Sequence, residues 1–188
     1  MMGRNVRHND NMDVLDDCGL RKGYTLSIKE VHEQGAIHRA VHLYVFDQQG
    51  ENLLLQKRSQ NVDHYPNKYS ISVVGHVNAG EYSYAAVKRE LMEELGVHTH
   101  ALDIEFLFSF RQDATLSPTY IDRQINDVYV CYMDDTQQKN INFDKKEVAE
   151  IKWVPFEIFK KMVEDAFMGD TDHSHFLDWT LHSGYCVS

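Results

Sequence analysis

Short apolar runs alternate with turn-forming stretches along most of the chain, and one segment breaks that rhythm with a helical period. Val41–Phe46 is rich in β-branched and aromatic residues, Asp47–Gly50 supplies turn chemistry, and Asn52–Gln56 resumes the apolar run, which together predict a hairpin. Tyr69–Gly75 (YSISVVG) predicts another strand, ended by glycine. Between Tyr82 and Leu95 the spacing changes: Tyr84, Val87, Leu91 and Leu95 share one stripe and Gly96 follows as a C-cap, so this segment is a helix. Strands are expected at Ile104–Phe110, Asp127–Tyr132 and Val148–Val154, with a helix after Pro155, where proline suits the first turn, and a last helix near His175–His182. Ahead of these, Met12–Asp16 and Tyr24–Val31 flank a turn around Cys18-Gly19 and read as a hairpin, while the polar, aperiodic stretch from Met1 to Asn11 reads as a flexible terminus.

Strands on both sides of a central helix, with a further helix at the end, predict an α/β fold: a mixed sheet covered on two faces. The chain has no internal repeat and no low-complexity tract, and its only prolines are Pro66, Pro118 and Pro155, so residues 12–188 are expected to form one domain. No window approaches the run of about 18 apolar residues that a membrane span requires. The opening MMGRNVRHNDNMDVLDDCGL carries no apolar core and no small-residue cleavage site, so no secretory signal is expected. Cys18, Cys131 and Cys186 are scattered without metal-ligand spacing and are expected as free thiols, which fits a cytoplasmic protein. The net charge of −10 opposes binding to a nucleic-acid polymer, whose affinity comes from Lys and Arg displacing counterions. An acidic chain still binds a small phosphorylated ligand when metal ions stand between its carboxylates and the phosphates. Self-association as a homodimer is left open.

The candidate chemistry lies in Gly75–Val97, GHVNAGEYSYAAVKRELMEELGV. Glu90, Glu93 and Glu94 are spaced i, i+3 and i+4, which puts three carboxylates on one helix face. Such a run is commonly no more than a solvated acidic face. Here the opposite face carries Val87, Leu91 and Leu95, the loop Gly75–Gly80 leads directly into the helix, and Arg89 is placed to orient a neighbouring glutamate. Clustered hard oxygen ligands suit Mg²⁺ or Mn²⁺, which bridge carboxylates to substrate phosphates.

The segment resembles the Nudix box in full: glycine, five residues, glutamate, seven residues, then Arg-Glu-aliphatic-x-Glu-Glu-x-Gly-aliphatic. Seven identities, each at a background of roughly 5–7%, arise by chance on the order of 10⁻⁹ times per start position. The resemblance implies a Nudix-type α/β/α sandwich and a pyrophosphohydrolase that uses Mg²⁺, with Mn²⁺ as a substitute, to cleave a diphosphate linkage in a small molecule. It implies Glu90, Glu93 and Glu94 as metal ligands, Glu81 as an outer ligand, Arg89 as an orienter, and Gly75 and Gly80 as points where the backbone turns closely around the metal. The water-activating base varies in this family; Glu93 and Glu147, the latter in KKEVAEIKWVP, are the candidates here, and Glu147 reads equally well as an exposed acid at a strand entrance.

Resemblance extends over roughly residues 12–160. HRAVHLYVFDQQGENLLLQKRS followed by YPNKYSISVVGHVNAGE is similar to the Nudix branch holding type I isopentenyl-diphosphate isomerase and its hydrolase-like relatives. In those isomerases a histidine beside the box glycine and two upstream histidines bind metal, which implies His76, His32 and His38 here; ordinary hydrogen-bonded histidines are the alternative. The isomerase cysteine position is Val74, which neither donates nor accepts a proton, and the acidic pair expected near DRQIND is reduced to Asp122 and the neutral Gln124. Those isomerases degrade the Arg-Glu and Glu-Glu portions of the box, whereas both are intact here, so hydrolysis is expected over isomerisation. His173 and His175 read as loop residues, Trp153, Trp179 and Phe110 as core or lid, and Arg111 and Arg123 as either substrate contacts or surface ion pairs.

Overall fold

The computed structural model describes residues 11–62, 65–98, 100 and 102–167, and these begin with two strands, β1 (Asn11–Leu15) and β2 (Arg21–Ser27), and a helix, α1 (Ile28–Gln34). Strands β3 (His38–Asp47), β4 (Asn52–Arg58), β5 (Tyr69–Ser70) and β6 (Val73–His76) follow, then helix α2 (Ser83–Leu95). The remainder is β7 (Ile104–Ser117), β8 (Tyr120–Met133), α3 (Asp135–Lys139), β9 (Val148–Pro155) and α4 (Phe156–Phe167). The helix expected near His175–His182, together with His173, Trp179 and Cys186, lies outside the described residues.

The architecture is the expected α/β arrangement around a mixed sheet. Its main path runs β5-β4-β3-β8-β7, with β6 pairing on β3 and β9 on β4. The parallel pairing of β3 with β8, from His38↔Gln124 to Asp47↔Met133, joins segments more than eighty residues apart. Val41, Leu43 and Val45 point to one face, where they pack with Val87, Leu91 and Leu95 of α2, all fully buried. On another face Leu53, Leu55 and Val154 pack with Phe159 of α4. Tyr84, placed on the apolar stripe of α2, is half exposed and rests its ring 6.2 Å from Tyr129.

Several boundaries differ from the sequence reading, each for a physical reason. The second N-terminal strand stops at Ser27, not Val31, because Ser27 and Glu30 form a reciprocal capping box that starts α1. Asn11, read as part of a flexible terminus, is the first residue of β1 and pairs with Ser27. The strand expected over Tyr69–Gly75 is broken in two. β5 pairs with β4 and β6 with β3, and between them the Ser72 hydroxyl donates to the Leu54 carbonyl (2.6 Å) and accepts from the Val45 N–H (2.8 Å). A side chain thus satisfies groups that a continuous strand would pair through its backbone. β7 and β8 extend well beyond the apolar runs that announced them, since backbone pairing continues through polar residues as far as Ser117↔Tyr120. Pro155 closes β9 rather than opening the helix, which begins at Phe156.

The anchoring of α2 is directly measurable. Leu91→Ala removes a fully buried side chain from the α2–β3 contact and should lower stability by about 2–5 kcal/mol in urea unfolding. A loss of under about 0.5 kcal/mol, typical of surface positions, would contradict this packing.

Candidate metal and phosphate site

The loop from His76 to Tyr82 delivers the chain from β6 to the start of α2, and one guanidinium organises everything it brings. Arg89 Nε and Nη2 donate to the two oxygens of Glu81 (3.1 and 3.0 Å), Nη1 donates to Glu90 (2.7 Å) and Glu93 (3.0 Å), and Nη2 also reaches the His76 carbonyl (2.8 Å). Glu81 in turn accepts from the Asn78 N–H at 3.0 Å, tying the loop to the helix. A cation among three carboxylates offsets the repulsion that their spacing creates. Gly75 is required at the end of β6 because a Cβ there would collide with the Glu90 carboxylate.

Glu94 is more deeply buried and accepts from Gln56 Nε2 at 2.9 Å. Burial and the charges of Glu90 and Glu147 raise its pKa well above the ordinary value, against the opposing influences of Arg58 and Gln56. Burial likewise pushes Glu90 up to about 7; Arg89 counters this, and Glu93 and Glu147 add to it. Burial opposes the charge of Arg89, but its bonds to Glu81 and the charge of Glu90 prevail and raise its pKa. Without a metal these carboxyls therefore retain protons near neutrality, and a divalent cation would supply the positive charge that lets them ionise together.

A second cluster sits beside the first. The ligand atoms of His32, His38 and His76 all lie within 4.8 Å of one another. Asp122 Oδ1 is 3.6 Å from His32 Nε2 and 3.7 Å from His38 Nε2. The β3–β8 register sets Gln124 opposite His38 and brings Asp122 into the same group, while the β3–β6 register sets His76 opposite Ala40. His38 Nε2, Asp122 Oδ1 and Gln124 Oε1 are buried and have no hydrogen-bond partner among the described residues, so this donor set fits a divalent metal. Burial lowers the His38 pKa to about 4 despite Asp122, which leaves the ring neutral near pH 7, as a ligand must be.

One cavity of about 500 Å³ is lined from both clusters: Glu90, Glu93, Glu94 and Arg89 on one side, His76, Asp122 and Gln124 on the other. Glu147, an exposed residue in the turn before β9, also faces it, as do Val74 and the cations Arg58, Lys68 and Lys146. Glu81 and Gly80 flank the cluster and are not among its lining residues. Sequence reasoning missed Gln56 and Arg58, although a polar pair at alternate positions after the apolar run Leu53–Leu55 signals a strand face turned toward a site. Arg111 and Arg123 form ion pairs instead: Arg111 with Asp17 and Asp113, and Arg123 with Asp113. Cys18 and Cys131 are free thiols.

Residues 36–180 match the family model described as NUDIX domain. This chain belongs to the Nudix family. It is 36% identical over 156 residues to Nudix hydrolase 3 of Arabidopsis thaliana, an alignment covering 82% of this chain and 20% of the plant protein, so it spans about a fifth of that relative's length. It is 33% identical over 137 residues to isopentenyl-diphosphate Delta-isomerase 2 of Photorhabdus laumondii, covering 73% of each. The fold is similar to the crystal structure of DR0079 from Deinococcus radiodurans, with a TM-score of 0.65, 23% identity, and coverage of 83% of this chain and 88% of that one. The relatives that it resembles thus include proteins named as a Nudix hydrolase and as an isopentenyl-diphosphate isomerase.

The raised glutamates of this Nudix site make a pH-dependent prediction. An unfolded glutamate ionises near 4.5, whereas Glu90 in the folded, metal-free protein ionises near 7, so the folded state holds more protons between these values and loses stability as pH rises through them. His38 acts in the opposite direction between about 4 and 6.5, so the comparison is of wild type with Glu90→Gln, in which the histidine contribution cancels. With EDTA, thermal unfolding should show the variant gaining on wild type from about pH 5 to about pH 7.5, and Mg²⁺ should erase that gain by stabilising wild type. A pH-independent difference would contradict the burial of Glu90.

Proposed function

We propose that this Nudix chain hydrolyses the diphosphate linkage of a nucleoside diphosphate, or of a nucleoside diphosphate joined to another moiety, with Mg²⁺ as cofactor and Mn²⁺ as a substitute. The observation that carries the proposal is the intact set of Glu90 and Glu93, gathered by Arg89, and Glu94, held by Gln56, all lining the 500 Å³ cavity. These three carboxylates would hold the metal, which when bound neutralises the diphosphate and activates water for attack on phosphorus. Arg89 keeps Glu90 and Glu93 facing the cavity, and Glu81 keeps Arg89 in place. Arg58, Lys68 and Lys146 contribute positive charge on the same cavity for the substrate's phosphate oxygens. Glu93 or Glu147 takes the proton from the attacking water, since both face the cavity.

A second reading, isopentenyl-diphosphate isomerisation, draws support from the histidine centre and from the Photorhabdus relative. Val74 weighs against it. It lines the cavity where that reaction needs one of two opposed proton-transfer groups, and an isopropyl side chain transfers none. A binding-only domain is the third possibility, and an undamaged box weighs against it.

Turnover separates these readings. A panel of nucleoside diphosphates, nucleotide sugars, dinucleoside polyphosphates, thiamine diphosphate and isopentenyl diphosphate, assayed with Mg²⁺, should show release of a phosphate product from at least one nucleotide and no dimethylallyl diphosphate. Glu93→Gln and Glu94→Gln should each lower kcat by several orders of magnitude with the fold retained. Near-normal activity in both variants would refute the site, and formation of dimethylallyl diphosphate would refute the choice of reaction. Glu147→Gln decides the base: collapse of turnover assigns it to Glu147, and retention assigns it to Glu93.

A further inference from the structure

We infer that Asp13 and Arg21, on the N-terminal hairpin, are positioning residues for the box glutamates, acting through the backbone of the loop that carries Glu81. The hairpin β1–β2 lies outside residues 36–180 that match the family model, yet it grips three successive residues of that loop. The Asn11 carbonyl accepts from the Ala79 N–H at 2.8 Å. Asp13 Oδ2 accepts from the Gly80 N–H at 2.8 Å, and Arg21 Nη2 donates to the Glu81 carbonyl at 2.7 Å. Arg21 Nε lies 3.0 Å from the same Asp13 oxygen, so the two side chains form one unit that holds both a donor and an acceptor of the loop. Gly80 takes a left-handed conformation, with φ at 78°, which presents successive peptide groups to the hairpin where an L side chain would be strained.

From Glu81 the constraint passes along bonds already described: its carboxylate holds Arg89, and Arg89 holds Glu90 and Glu93. Neither Asp13 nor Arg21 lines the main cavity, so neither touches substrate. Their effect is on how well the carboxylates are arranged before metal arrives. Groups that orient ligands in this way typically change metal affinity by about 10–100-fold when removed.

This inference rests on the proposed metal role of the box, and the experiment distinguishes failure of one from failure of the other. Mn²⁺ alone is titrated into the full, metal-stripped chain while the free ion is followed by electron paramagnetic resonance, with no substrate present. Glu94→Gln identifies the binding phase that belongs to the box. Asp13→Ala should weaken that phase roughly 10–100-fold while leaving any phase that survives Glu94→Gln unchanged. Asp13→Asn, which keeps an acceptor for the Gly80 N–H, should recover most of the affinity. Arg21→Lys, which keeps the charge but loses the forked donor pair, should weaken the box phase in the same direction. A box phase of wild-type affinity in Asp13→Ala, with only the melting temperature lowered, would overturn the inference and reduce the hairpin to structural support. Should Asp13→Ala fail to fold by circular dichroism, a wild-type box phase in Arg21→Lys overturns it instead. Loss of no phase in Glu94→Gln would overturn the metal role of the box and the positioning role of Asp13 and Arg21 together.

Discussion

The guanidinium of Arg89 is the contact on which the site depends. It joins Glu81, Glu90 and Glu93 to the carbonyl of His76, so one side chain links the strand, the loop and the helix. Without it, carboxylates at i and i+3 on a helix repel one another and turn toward solvent. Its position requires that α2 be immobile, which the fully buried Val87, Leu91 and Leu95 provide, and that Gly75 leave room for the Glu90 carboxylate. The hydrophobic core and the polar site are therefore two faces of the same helix, each needing the other's geometry.

The parallel β3–β8 register has a comparable role for the histidine cluster. It brings Asp122 and Gln124 beside His38, and β6 adds His76, so residues from four elements meet next to the box. A cavity lined by the box carboxylates and by His76, Asp122 and Gln124 of the histidine cluster borders two chemically distinct ligand sets. Val74, which lines the same cavity, offers no group for proton transfer.

What was legible in the sequence was local. The 3.6-residue period of Val87, Leu91 and Leu95 and the i, i+3, i+4 glutamates lie within one helix, so pattern alone placed both the buried face and the acidic face of α2. The start of α1 also carried a readable signal, Ser27-x-x-Glu30, that apolar run-length reasoning passed over in favour of a longer strand. The break at Ser72 and the polar halves of β7 and β8 were not legible, because there pairing partners decide where a strand ends, and partners are non-local. The same limit applied to the site. Arg89 and its glutamates are neighbours in sequence, whereas the approach of Asp122 to His32 and His38, and of Gln56 to Glu94, exists only once the sheet has formed.

The claim that this arrangement performs metal-dependent attack of water on a diphosphate is tested most directly by isotope position. A nucleotide cleaved by the panel assay is incubated with the protein and Mg²⁺ in ¹⁸O-enriched water, and the products are read by ³¹P magnetic resonance. The account predicts a single ¹⁸O on one of the two phosphate products, abolished by EDTA and in Glu94→Gln. Cleavage that continues undiminished in EDTA, or products carrying no ¹⁸O on phosphorus, would contradict it.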